Sequence, residues 1–173
     1  MKTLRRLLVM IGNLLPMKIR IALYKMAGMR IGKGTKISKG LYVDRPDGII
    51  IGDNCFINHF VHLHNGASPR AFITFGNNVF IGPEVKFFCA SHGIGTEKQR
   101  AGQNLYDSII VEDGVWIGAN STIFPGVRIA MGGVIGACST VIKSTQQNSL
   151  YYGSPAKEVR KLENDRSNGC ESG

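Results

Sequence analysis

A six-residue period constrains this chain more than any other feature. From Val111 the sequence divides into VEDGVW, IGANST, IFPGVR, IAMGGV and IGACST, and Val141 opens the next unit. Each unit begins with an aliphatic residue: Val111, Ile117, Ile123, Ile129, Ile135, Val141. The fifth place is small or β-branched: Val115, Ser121, Val127, Gly133, Ser139. Six matches neither the helical period nor the two-residue alternation of a half-buried strand. It is the period of a parallel β-helix, in which short strands alternate with corners. Three units make one triangular coil. The first and fifth residues are expected to point into the prism, the fifth near a corner where only a small side chain fits.

The same phase is present earlier. IGKGTK runs from Ile31, followed by ISKGLY and Val43, and DRPDGI interrupts it. IGDNCF resumes at Ile51, then INHFVH and Leu63, with a second interruption around Pro69 and Arg70. FGNNVF, IGPEVK and FFCASH continue from Phe75, so the repeat extends from Ile31 to about Val141. Glycine is second in its unit at positions 32, 52, 76, 82, 118 and 136, where the missing Cβ is expected to permit unusual backbone angles. After His92 the hexads stop. GIGTEKQRAGQNLYDS, residues 93–108, is polar and reads as a loop thrown out from the prism. A long loop inside a regular stack is usually functional.

The flanks differ from the prism (residues 29–143). In residues 1–28, Arg5 and Arg6 precede the apolar run Leu7 to Leu15, and MKIRIALYKMAG follows Pro16. Two amphipathic helices are expected, either capping the prism or lying as a basic anchor on an acidic membrane face. The apolar run is too short to span a bilayer and no small-x-small cleavage site follows it. In residues 144–173, Gly153, Ser154 and Pro155 read as a turn, AKEVRKLEN as a short helix, and Asp165 to Gly173 as a disordered tail.

The chain carries 21 Lys and Arg against 12 Asp and Glu, a net charge of +9. Such an excess points to nucleic acid, acidic lipid or a phosphorylated small molecule. The aromatic spacing of an RNA-binding sheet is missing, which argues against nucleic acid. Cys55, Cys89, Cys138 and Cys170 form no C-x-x-C pair, so neither a zinc site nor a redox dithiol is indicated. Cys55 falls at a fifth place and reads as core, and this cysteine usage suits a reducing cytoplasm.

The runs FFCASHG, VWIGANSTIFPGVRIA, IGACSTVIK and YYGSPAKEVRK resemble the hexapeptide-repeat acyltransferases. The nearest branch is that of the galactoside and maltose O-acetyltransferases and the polysaccharide O-acetyltransferases. The likeness spans Ile31 to about Arg160, and LLP with MRIGKGTKI resembles the polysaccharide-modifying members. The resemblance implies an all-β fold: a left-handed parallel β-helix with an N-terminal helical segment and a short C-terminal helix. It also implies a homotrimer with active sites in clefts between neighbouring prisms. Acetyl-CoA is the implied cosubstrate and a sugar hydroxyl the acceptor, with no metal. A cytoplasmic precursor of a surface polysaccharide (capsule, exopolysaccharide or lipopolysaccharide) is the expected acceptor.

An alcohol is a poor nucleophile at neutral pH. A histidine, with a reference pKa of about 6.5, can remove its proton as attack begins. His92 matches the family's catalytic histidine. Ala119, in WIGAN, matches the place whose backbone N–H holds the oxyanion. Asn58 matches an acceptor-site asparagine, and an ordinary corner residue in the left-handed region is the plain alternative. LHNGAS stands where the family has an acidic acceptor ligand, which leaves Asn65 as the polar candidate there. Trp116 matches an aromatic residue of the cleft. Lys143, Lys157 and Arg160 match basic residues near the nucleotide, while Gly136 and Ala137 would let CoA approach the coil. Ile142 replaces a threonine of the family.

Other readings compete. An amino group of a nucleotide sugar, an antibiotic or serine could replace the sugar hydroxyl. A metal hydratase could draw zinc ligands from His59, His62, His64 and His92, with His62 and His64 on one face, although V-W-I-G and G-S-P-A-K have no use in one. A non-enzymatic scaffold would need neither His92 nor its loop.

Overall fold

The first-place residues fill one continuous interior. All fifteen from Ile31 to Val141 are buried, as are the fifth-place residues Cys55, Val61, Val79, Val85, Val115, Ser121, Val127 and Ser139. The structure, a computed structural model, describes residues 2–66 and 68–163. Cys170 and the tail from Asp165 lie outside them. Buried hydroxyls at fifth places are satisfied by the adjoining coil. Thr35 Oγ1 donates to Gly52 O at 2.7 Å and Ser121 Oγ to Gly136 O at 2.9 Å.

The prism has three faces. The first stacks β1 (Arg30–Ile31), β4 (Ile49–Ile51), β7 (Ile73–Phe75), β12 (Ile109–Val111) and β15 (Arg128–Ile129). The second stacks β2 (Lys36–Ile37), β5 (Phe56–Ile57), β8 (Phe80–Ile81), β13 (Trp116–Ile117), β16 (Val134–Ile135), β18 (Ser149–Gly153) and β19 (Ala156–Lys161). The third stacks β3 (Tyr42–Val43), β6 (His62–His64), β9 (Lys86–Phe88), β14 (Thr122–Ile123) and β17 (Thr140–Val141). Neighbours on all three faces pair in parallel, apart from β18 and β19, which are antiparallel.

Two sequence expectations are corrected here. Residues 93–108 are not an irregular loop: β10 (Ala90–Ile94) and β11 (Ala101–Tyr106) form an antiparallel ribbon standing off the prism. It starts early, so Ser91, the fifth residue of FFCASH, is exposed, and Cys89 turns inward instead. The described part of AKEVRKLEN, residues 156–163, is not a helix either. Its first six residues are β19, which folds back beside β18 because that strand offers an unpaired edge. Edge pairing there overrides a high local helical propensity, as tertiary context commonly does.

The corners also divide their labour differently from expectation. The left-handed residue is the fourth of its unit, as in Asn54, Phe60, Asn78, Glu84, Asn120 and Cys138. No second-place glycine has positive φ. Those glycines are required by the neighbouring coil instead. A Cβ on Gly118 would stand 2.5 Å from Ala137 N, and one on Gly82 would stand 2.6 Å from Ala119 N.

Helix α1 (Lys2–Leu14) and α2 (Met17–Met26) close the first-coil end. Gly12 packs under the Tyr24 ring, and Tyr24 Oη donates to Asn13 Oδ1 at 2.7 Å. The buried Arg20 guanidinium donates to the carbonyl oxygens of Gly12, Leu15 and Ile37, joining both helices to the first coil.

Gly52→Ala is expected to lower stability by roughly 2 kcal/mol or more, because its Cβ would stand 2.6 Å from the Gly76 carbonyl carbon. Asn54→Gly is expected to be neutral or to stabilise by up to about 1 kcal/mol, since it relieves a left-handed residue. Chemical denaturation of the two variants checks the assignment of roles to second and fourth places.

Candidate active site

The sixth residue of each unit faces outward, and on the second face it is apolar from β5 onward, after Lys36 on β2. Phe56, Phe80, Trp116, Val134 and Leu150 follow one another in register across five strands. Phe56 and Phe80 pack with ring centroids 5.0 Å apart. Trp116 is 54% exposed and Phe80 is 52% exposed, and with Val134 and Leu150 they line an open apolar groove. Its wall is the adjoining corner, with Asn58, Gly82, Pro83, Gly118, Ala119 and Ala137. Asn58, Trp116, Ala119, Gly136 and Ala137, singled out from the sequence, therefore meet in one place. Phe80, Val134 and Leu150 were missed. Their signal was present only in part: from Phe56 onward the sixth place is apolar on this face, whereas on the others it mixes Ile50 and Ile110 with Thr74, Lys86, Arg128 and Thr140.

The corner has open donors. At the opposite end of the same face, third-place N–H groups are capped in a row: Lys33 N donates to Asp53 Oδ1, Asp53 N to Asn77 Oδ1, and Asn77 N to Asp113 Oδ1, at 2.7–2.8 Å. At the groove the third-place residues are Ala119 and Ala137. Among the described residues neither N–H makes a hydrogen bond. Two backbone donors thus face an apolar channel, an arrangement suited to a developing negative charge. Asn58 is not left-handed. Its Oδ1 accepts from His59 N at 2.8 Å, and its amide nitrogen makes no hydrogen bond among the described residues. Gly136 lines the groove and also packs closely within the stack, since a Cβ there would stand 2.9 Å from Tyr152 Cβ.

Beyond Leu150 the row ends on a cation. Arg160 pairs with Leu150, and Lys157 with Tyr152. Residues three apart in a plain strand point to opposite faces. The irregularity between Leu150 and Tyr151 adds one residue to β19, and this returns Lys157 and Arg160 to the same face as the groove. Both are exposed. Lys143 is also exposed, but it follows β17 on the third face and does not line the groove.

His92 lies elsewhere on the prism. All three interruptions of the hexad leave by the corner between the third and first faces, and they touch one another. Gly66 N donates to Asp44 Oδ2 at 3.3 Å, and the Tyr106 ring of the ribbon packs on Gly66. His92 stands on the ribbon opposite Asn104, exposed, with Nδ1 3.2 Å from Gly102 O. A carbonyl can only accept, so Nδ1–H is the donor in this contact and Nε2 is the nitrogen left for other partners. His92 does not line the groove of its own chain.

Asn65 has a different job from the one its position suggested. It is fully buried, its Oδ1 accepts from Arg45 N at 2.9 Å, and its Nδ2 donates to Arg45 O at 2.8 Å. Both ends of the amide are used in clamping the first insertion, so no surface is left for an acceptor. His62 and His64 do share a face, in a row with Tyr42 and Phe88, and His64 Nδ1 is 3.5 Å from Asp44 Oδ2. Partial burial, then His64 and Lys86, hold His62 below the usual imidazole range. Among the described residues no three His, Cys, Asp or Glu side chains are grouped to hold a metal.

No family model matches the chain. Galactoside O-acetyltransferase of Escherichia coli is 30% identical over 147 residues, covering 85% of this chain and 70% of that protein. A hexapeptide-repeat acetyltransferase of Vibrio cholerae, solved with acetyl coenzyme A, superposes with a TM-score of 0.85 at 30% identity, covering 94% of this chain and 87% of that one. A galactoside acetyltransferase solved with coenzyme A gives a TM-score of 0.85 at 25% identity, covering 99% and 88%. The chain spans 62% of the length of related proteins from Saccharomyces cerevisiae and Lactococcus lactis, and 46% of one from Schizosaccharomyces pombe.

Asn65→Ala is expected to cost about 1–3 kcal/mol of stability, because it leaves the buried Arg45 N–H without a partner and removes one of the two donors to Arg45 O, the other being Gly48 N–H. Thermal unfolding measures the loss, and ligand affinity of the folded variant should stay within twofold of the parent.

Proposed function

The chain belongs to the hexapeptide-repeat acetyltransferases, and from that premise we propose that it transfers acetyl from acetyl-CoA to a sugar hydroxyl. The carrying observation is the groove, apolar along its floor, with open N–H groups at its wall and Lys157 and Arg160 beyond its end. That sequence suits a ligand with a thioester at one end, an apolar arm, and phosphates at the other.

In this reading His92 Nε2 takes the proton of the acceptor hydroxyl while its oxygen attacks the thioester carbonyl carbon. The oxyanion is held by the Ala119 N–H. Collapse breaks the C–S bond, the acetyl ester forms, and the CoA thiolate recovers the proton from His92. The hydrogen bond to Gly102 O supports the role, since it fixes the ring and the tautomer a base needs. Asn58, with its free amide N–H groups beside Trp116, suits a hydroxyl-rich acceptor. Because His92 and the groove lie on different parts of one prism, the working site is assembled from two copies in a homotrimer. We place the acceptor among cytoplasmic precursors of a surface polysaccharide, with the inner face of the membrane as the surface nearest to them.

His92→Ala is expected to lower turnover at least a thousandfold, within the range of a lost general base, while the dissociation constant for CoA stays nearly unchanged. Thiol release from acetyl-CoA against a panel of sugars, nucleotide sugars, antibiotics and serine measures the first. Quenching of Trp116, the sole tryptophan, measures the second. Near-normal turnover in the variant overturns the assignment. Lys157→Ala with Arg160→Ala should weaken CoA binding about tenfold or more at low salt and less at high salt. An unchanged constant at low salt removes both residues from the site.

A further inference from the structure

The net charge of this protein sits entirely at one end. The first 43 residues contain ten Lys and Arg and no Asp or Glu, leaving 11 basic and 12 acidic residues for the rest. Arg5 and Arg6 pair with Asp47 and Asp44, and Arg20 is buried. Lys18, Lys25, Arg30, Lys33, Lys36 and Lys39 are exposed, and none of them makes an ion pair among the described residues.

Helix α1 adds a second, independent observation. Val9 and Gly12 face inward against the prism and Tyr24. Leu4, Leu7, Met10, Ile11 and Leu14, spaced by three, three, one and three, share the opposite side. All five are exposed, with Met10 at 66% and Leu14 at 81%. The helix is not loosely attached. Arg6 Nε donates to Asp44 O at 2.6 Å, and Asn13 Oδ1 accepts from the N–H groups of Gly40 and Leu41 at 3.0 and 3.1 Å. The apolar stripe is therefore presented outward by the fold, where a contiguous apolar surface marks a contact site.

We propose that this end docks on an anionic lipid bilayer. Helix α1 lies in the plane of the interface, with its stripe at the boundary of headgroups and acyl chains and the surrounding cations on lipid phosphates. No helix among the described residues is long and apolar enough to cross a membrane, so the contact is along the surface. A second copy is the poorer occupant, because apposing the same face of two chains brings two strongly basic ends together against their charge. The inference stands on the two helices and the first coil, independently of acetyl transfer.

The test is flotation of the full chain with vesicles of phosphatidylcholine alone and of phosphatidylcholine with phosphatidylglycerol. Binding is expected to the anionic vesicles, falling with salt. Leu7→Asp with Leu14→Asp should reduce it at least tenfold with the mass in light scattering unchanged. Lys33→Glu, Lys36→Glu and Lys39→Glu, which leave α1 untouched, should together reduce it roughly a hundredfold. Absence of flotation with anionic vesicles, or binding that survives both sets of changes, overturns the proposal. So does a fall in mass in the Leu7→Asp, Leu14→Asp protein, since that would assign the stripe to contact between copies. Acetyl transfer to a soluble acceptor should persist in all variants, which separates failure of docking from failure of the catalytic reading.

Discussion

Coils that hydrogen-bond to one another at the spacing of a β-ladder, about 4.8 Å, set the terms for everything else in this molecule. The spacing leaves no room for a Cβ at Gly52, Gly82 or Gly118, and it turns every place in the unit into a row. A row of aliphatic first residues becomes the core. An Asp and Asn row at one corner becomes a ladder that caps its own backbone. The Phe80, Trp116 and Val134 row becomes a groove, and the Ala119 N–H beside it stays open because Ala137, at the same place of the next coil, carries no oxygen with which to continue the ladder.

Departures from the repeat are as orderly as the repeat. The insertion after β3, the irregular run after β6 and the ribbon after β9 all leave by one corner. They are bound to each other through Asn65, Arg45, Asp44, Gly66 and Tyr106. The ribbon thereby stands on a braced base. His92 gains a defined position although it lies outside the hydrogen-bonded stack of the coils, and Asn65, at the heart of the brace, is structural rather than available to a ligand.

Periodicity made the prism, its inward residues and its limits legible, because burial at first and fifth places is a local consequence of position in the unit. Residues whose role depends on the neighbouring coil were not legible in the same way. Gly118 and Gly136 look like conformational glycines until the coil above is in view, whereas Asn120 and Cys138 carry the left-handed angle. KEVRK has the spacing of a helix face, yet Lys157 and Arg160 reach one side through an extra residue in a strand. The groove was half visible: Trp116 and Ala119 stood out by motif, while Val134 and Leu150 acquire meaning only in register.

A stack of parallel strands carries an unsatisfied edge at each end, and identical columns could join there without limit into a fibre. In this chain β19 runs against the direction of the column, so a second column arriving at that edge meets a strand of the wrong polarity for continuing the wind. It also presents Lys157, Glu158, Arg160 and Lys161 to solvent, a charged hem of the kind that discourages edge-to-edge pairing. The reversal that carries two cations to the end of the groove is thus also a terminator, and it lets a self-propagating architecture exist as a particle of finite size.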